Sequence, residues 1–272
     1  MKPDFKVYKS DGFDVEDTAS LSLFLYPSSI FIFAKDINGT NIAIHQYPKL
    51  GWADLEKITP IDLLLKQDVP ARTYVHSNIF SLVPGLLFQN GKEEQYLKFV
   101  GDIKGYPYCF SCALDSNNLQ LVSCLPRSIK KSLEARFSEV SFFHGACSFL
   151  SYLFKERFNL IGQEILINFI GNYFYLAAFK DQELSLFNMF EVGEKEDLLK
   201  YIFIAIEQLK FNKNYARVSV FNLQKDAGMS KEWLEDYFHH VRVIKPHANQ
   251  NYGNGFKNFK SEYLFEASWQ MD

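Results

Sequence analysis

Apolar positions recur with period two over three consecutive runs near the start of the chain: LSLFLY (21–26), SIFIFAK (29–35) and NIAIHQY (41–47). Alternation of this kind, rich in β-branched and aromatic residues, predicts three strands. Pro27-Ser28-Ser29 and Asn38-Gly39 supply the turns between them. Leu21, Leu23 and Leu25 share one face and Phe24 points to the other. Both faces are apolar, so the sheet is expected to be covered on both sides. Residues 1–17 are polar and irregular and read as a loose arm or an edge segment.

The spacing turns helical from Trp52 to about Lys66, interrupted at Thr59-Pro60, where proline suits a first helical position. RTYVH (72–76) predicts a strand, and SLVPGLLF and KEEQYLKF predict short helices. YPYCFSCAL (106–114), a turn over Asp115-Ser116-Asn117-Asn118, and LQLVSC (119–124) predict a hairpin. A helix from about Arg127, a short strand VSFF, and a helix from about Gly145 to Arg157 follow. In the last, Ala146, Phe149, Leu150, Leu153 and Phe154 fall on one stripe.

The same order then restarts. EILINFI (164–170), Gly171-Asn172, YFYLAAF (173–179) and LSLFNMF (184–190) predict a second meander. A helix over about Lys195 to Phe211, a strand ARVSVF (216–221), a helix SKEWLEDYF (230–238) capped by Ser230, and a strand VRVI (241–244) complete it. Offsetting the chain by 145 residues places Leu21 on Leu166, Phe24 on Phe169, Lys35 on Lys180 and Asp36 on Asp181. These identities are few, and the repeated order of elements carries the inference. Two α/β lobes with mixed sheets are expected, residues 1–158 and 159–272, the first with an inserted hairpin at about 106–124. Leu21–Tyr26 and Glu164–Ile170 should be central strands, since both their faces are apolar.

Composition changes this picture little. Hydrophobic residues make up 47% and the net charge is −3, which excludes a strongly basic nucleic-acid binder. The 27 Phe, 15 Tyr and 3 Trp supply apolar area for two cores. Thr18–Ala34 and Ile165–Phe179 carry no charge, but turn residues break both, so no membrane span is expected. The charged N-terminal stretch shows no signal peptide, and a cytoplasmic protein is the expectation.

The duplicated β-β-β-α-β-α-β order resembles the ribonuclease-H-like halves of the actin, Hsp70 and sugar-kinase superfamily. FSLVPGLLF (80–88), with QYLKF (95–99) downstream, is similar to a family of uncharacterised bacterial proteins with an actin-like ATPase fold. The resemblance implies a duplicated ribonuclease-H-like two-lobe fold. In active members of that superfamily, Asp and Gly at the turn between the first two strands of each half hold Mg-nucleotide. Here those turns read LYPSSIF and FIGNYFY, with no Asp. Ser28, Ser29, Gly171 and Asn172 are the residues left to line an interlobe ligand cleft, and they cannot replace a metal-binding carboxylate. A Gly-Gly pair expected after the fourth strand of the second half is replaced by Phe221-Asn222-Leu223-Gln224. A working ATPase is therefore not expected, and no catalytic residue, metal or cofactor is nominated.

The other candidate chemistry is sparse. Gly253-Asn254-Gly255 reads as a turn with anchoring aromatics around it rather than a phosphate loop. Cys109 and Cys112 form one CxxC without a second pair, and on a strand they point to opposite faces, so reduced structural thiols are expected. His239-His240 sits at a predicted helix end and suits the helix dipole rather than a metal. The hairpin has no counterpart in the second half. Its alternation puts Tyr106, Tyr108 and Phe110 on one face, either packed on its own lobe or open to a protein partner. The expected function is a non-catalytic scaffold that binds a protein partner or itself. The alternative is a nucleotide or small-ligand binder, including a degenerate ATPase.

Overall fold

Each of the two long uncharged stretches folds into paired strands within a mixed sheet. The structure is a computed structural model and describes residues 4–101, 103, 107–223, 228–256, 258–259 and 264–271. The chain divides into two units, Met1–Cys147 with Gln250–Phe259, and Ser148–Asn249 with Lys260–Asp272.

The first unit runs β1 (Lys6–Lys9), β2 (Ser20–Leu25), β3 (Ile30–Lys35), β4 (Asn41–Tyr47), α1 (Leu55–Ile58), β5 (Ala71–Val75), β6 (Phe80–Pro84), α2 (Glu93–Leu97), β7 (Tyr108–Leu114), β8 (Leu119–Leu125), α3 (Arg127–Glu134) and β9 (Val140–His144). Six strands form a sheet in the order β1-β4-β3-β2-β5-β9, antiparallel through the meander and parallel where β2 meets β5 and β5 meets β9. Leu21, Leu23 and Leu25 enter one core with Leu55, Ile58, Leu64, Ile129 and Leu133. On the opposite face Phe24 stacks on Tyr74, and Tyr74 stacks on Phe143.

Two local expectations fail for identifiable reasons. Pro60 does not open a helix: α1 stops at Ile58, and the next helical turn is a 3-10 turn at Leu64–Lys66. The Asp62 carboxylate starts it by accepting the N–H groups of Leu64 and Leu65 at 2.8 and 3.3 Å. Residues 80–84 are a strand rather than a helix, because β6 pairs antiparallel with β8 and buries Phe80 and Val83. The expected hairpin is thus part of a three-stranded sheet, β6-β8-β7. Its own small core holds Val83, Leu97, Val122 and Cys124.

The second unit contains α4 (Ala146–Glu156, whose first two residues belong to the first unit), β10 (Gln163–Ile170), β11 (Tyr173–Lys180), β12 (Glu183–Glu191), α5 (Lys195–Leu209), β13 (Arg217–Phe221), α6 (Lys231–Glu235), β14 (His240–Ile244) and α7 (Phe265–Ser268). Its sheet order, β12-β11-β10-β13-β14, repeats the core order of the first sheet. β2 and β10 are both interior strands, as their two apolar faces require. Ile165, Ile167 and Phe169 pack with Leu198, Ile202 and Ile206 of α5. The other face is aromatic, with Phe149 and Tyr152 meeting Phe221 and Phe265. Among the described residues no helix is long and apolar enough to cross a membrane.

The duplicated ribonuclease-H-like order, with both sheets mixed, is the architecture the repeat predicted.

Candidate functional site

In open α/β sheets, ligands gather beyond the carboxyl ends of the parallel strands. In the first unit that edge carries Tyr26, His76 and the His144-Gly145 step, at the ends of β2, β5 and β9. The turn Pro27-Ser28-Ser29 is closed by Tyr26 N–H donating to Ser29 O at 2.9 Å. Trp52 N–H donates to Tyr26 O at 3.0 Å, and Gly51 lies so close that a Cβ there would fall 1.9 Å from the Pro27 carbonyl oxygen. Only glycine permits that approach. The turn therefore presents carbonyls to its own chain, and Pro27 has no N–H to offer a phosphate. Ser28 is exposed and Ser29 half-buried.

His76 is fully buried and stacks on Tyr26, ring centroids 4.0 Å apart. Burial, and then the neighbouring His144, push its pKa well below the ordinary histidine value. Burial likewise lowers His144 to about 4, against the opposing hydrogen bond to Ser77 O at 2.8 Å. Both rings are neutral at pH 7. Close by in the sequence, Asp62 accepts from the Tyr47 hydroxyl at 2.5 Å and lies 2.7 Å from His45 Nδ1. Burial works to raise the Asp62 pKa, but His45, Tyr47 and the Leu64 N–H outweigh it and hold the carboxyl below its usual range. This carboxylate is committed to the fold.

The corresponding edge of the second unit holds the exposed turn Gly171-Asn172, with Gly171 at φ +66° and Val192 N–H donating to Asn172 O at 2.7 Å. Beside it, buried Asn168 accepts from the Asn222 amide at 2.7 Å, and Asn222 itself adopts φ +53° after β13. Gln224 lies outside the described residues. Tyr173 at the same edge lies opposite Glu191 of β12; burial first, then that carboxylate, raise its pKa. Asn168 escaped the sequence reading because it sits inside an otherwise apolar strand. Each edge offers hydroxyl and amide groups, and among the described residues no group of three metal-ligating side chains gathers.

The inserted sheet disposes its aromatics inward. Phe110 is 6% exposed and belongs to the core of the first unit, where its ring and that of Tyr108 meet Phe142. Lys130 caps the Tyr108 ring at 4.6 Å. Tyr106 lies outside the described residues. The exposed apolar side chains of this region are Leu86, Leu87, Phe99 and Val100, the first three at 102, 66 and 91%. They flank α2, and the Tyr96 hydroxyl ties α2 to the preceding turn by donating to Leu87 O at 2.8 Å.

Gly253-Asn254-Gly255 belongs to the first unit, where it is tied to β4 and to the segment after β1. Asn41 N–H donates to Asn251 O, Gly253 N–H to Asn41 O, and Asp11 N–H to Asn254 O. Tyr252, Phe256 and Phe259 form an aromatic cluster that reaches Tyr8 and Phe33. The aromatics around this loop are anchors.

Comparison with known proteins agrees with the architecture. A protein of Bacteroides thetaiotaomicron VPI-5482, described as having an actin-like ATPase fold and unknown function, superposes with a TM-score of 0.75 at 16% identity, over 87% of this chain and 95% of that one. The PilM-PilN type IV pilus biogenesis complex gives 0.61 at 11% identity, over 93 and 95%. The fold is thus actin-like. No curated protein matches the sequence. The model of one family, described as protein of unknown function (DUF3822), matches residues 69–241, more than half the chain, and it is to this family that the protein belongs.

Proposed function

We propose that this chain is a non-catalytic actin-like scaffold that binds a protein partner through the inserted sheet of its first unit. The observation that carries the reading is the exposure of Leu86, Leu87 and Phe99 around α2. Apolar side chains left this open on one decoration of a fold mark a surface awaiting cover. The insertion has no counterpart in the second unit, and grafted elements of this kind are where function is commonly placed. Support comes from the similarly folded chain of the PilM-PilN type IV pilus biogenesis complex, a protein solved together with a partner. The turns at Ser28-Ser29 and Gly171-Asn172 contain no carboxylate to hold a metal-nucleotide, which favours binding over phosphoryl transfer.

The test is affinity capture from native lysate with the immobilised chain, repeated with a Leu86→Ser/Leu87→Ser/Phe99→Ser variant. The expected result is a defined protein captured by the parent and lost by the variant, with the thermal midpoint unchanged. Equal capture by both chains would overturn the placement of the surface.

A further inference from the structure

The chain has four cysteines, and the fold brings them together as two pairs. Cys109 and Cys112 stand three residues apart on β7, and a strand sends side chains at that spacing to opposite faces. On one face Cys109 lies directly across from Cys124 in the β7/β8 register. On the other, Cys112 neighbours Cys147. No cysteine is left over, and none is in a disulfide. Directly opposed residues of antiparallel strands have Cα atoms about 4.5–5.5 Å apart. That lies within the ~4.4–6.8 Å a disulfide spans.

The two pairs differ in access. Cys109 is half-buried and Cys124 is 7% exposed, whereas Cys112 is 5% exposed and Cys147 is sealed. Chemistry separates the partners of the accessible pair. The neighbouring Cys124 holds the Cys109 thiol below its ordinary pKa, against burial and the nearby Glu93 and Glu94 and with help from Arg127. Cys109 in turn, then burial, push Cys124 up. Cys109 is the more exposed of the two, with Arg127 near it, so it is the thiol a hydroperoxide reaches first, and the thiolate is the reacting form.

We propose that Cys109 and Cys124 are a reversible redox pair that closes to a cross-strand disulfide on exposure to a hydroperoxide. The Cys109 thiolate attacks one oxygen of hydrogen peroxide, the O–O bond breaks, and hydroxide leaves and takes a proton as water. Cys109 is then a sulfenic acid. The Cys124 sulfur attacks it, the S–O bond breaks, and a second water leaves with the Cys124 proton. Two thiols lose two electrons together, and the peroxide gains them. A dithiol reverses the bond by exchange. The inference rests on the register and exposure of the thiols and is independent of the proposed partner surface.

The experiment uses the full chain, reduced, freed of reductant and treated with hydrogen peroxide, followed by acid quench, alkylation and mass spectrometry without reduction. No lysine or arginine lies between Cys109 and Cys124, so cleavage before Asp115 is used to separate them. A Cys112→Ser/Cys147→Ser variant makes the assignment to Cys109 unambiguous. Loss of two of the four thiols is expected, with the two fragments joined through Cys109 and Cys124, and full recovery after dithiothreitol. Absence of that link in both the parent chain and the variant, or Cys109 accumulating as sulfinic acid, would overturn the proposal. The parent measurement needs no substitution, so a variant that fails to fold does not protect the idea.

Discussion

The imidazole of His76 rests against Gly145: a Cβ on Gly145 would lie 2.2 Å from His76 Cε1 and 2.3 Å from both ring nitrogens. His76 is fully buried and held on its other contacts by Tyr26, so it has no room to retreat. Gly145→Ala is therefore expected to destabilise the first unit by about 2 kcal/mol, in the range of overpacked cores. Chemical denaturation would measure it. Combining Gly145→Ala with His76→Ala should recover part of the loss, and strict additivity of the two changes would show that the contact is not the cause.

The same histidines make stability depend on pH. A histidine whose folded pKa is depressed binds fewer protons folded than unfolded, so stability is retained above the unfolded pKa of about 6.5 and falls as the pH drops below it. With His144 lowered to about 4, the loss between those values approaches about 3 kcal/mol, and His76 adds to it in the same direction. Urea midpoints at pH 7.5 and pH 5 should differ accordingly. A midpoint that rises toward pH 5 would contradict the neutral state of these rings.

Arg217 grips buried Glu164 through Nε at 2.9 Å and a terminal nitrogen at 2.6 Å, while Ser219 donates to the same carboxylate at 2.6 Å. Arg217→Met strips the charge partner from a carboxylate that is wholly buried. A loss of about 3 kcal/mol is expected. Thermal melting of the variant would show it, and an unchanged midpoint would mean that the ion pair contributes little to the second unit.

Phe110 is core. Phe110→Ala should lower stability by about 3–5 kcal/mol, as removal of a buried phenyl ring does. A variant with an unaltered midpoint would reopen the stripe as a recognition surface.

Mg-ATP is expected to leave the thermal midpoint within about 1 °C, since a ligand that does not bind the folded state cannot stabilise it. A concentration-dependent rise, lost in a variant with a bulky residue at Gly171, would overturn the reading of the turns.

Much of the fold was legible because the strands that form the two sheet centres are apolar on both faces and bounded by strong turn residues. The duplication showed in the order of elements even though few residues match. β6 was hidden because SLVP is short, ends in Pro-Gly, and pairs with a strand some 40 residues away, which no local period reports. The carboxyl edges of the sheets were half visible. Ser28-Ser29 and Gly171-Asn172 stood out as turns, but His76 and Asn168 declare themselves only when distant strands are set side by side. The cysteine pairs were invisible for the same reason: the CxxC spacing sends the two side chains to opposite faces but says nothing about what each face would meet.

The hydrogen bonds from Asn41 to the 250–253 segment bridge 210 residues of chain. Synthesis from the N-terminus therefore delivers β4 long before the strand-like partner that completes its edge. Until Asn251 leaves the ribosome, the backbone N–H of Asn41 and the aromatic patch at Tyr8 and Phe33 stay uncovered. The first unit is translated early but finished late, and its folding should be limited by the arrival of a short loop rather than by its own sheet.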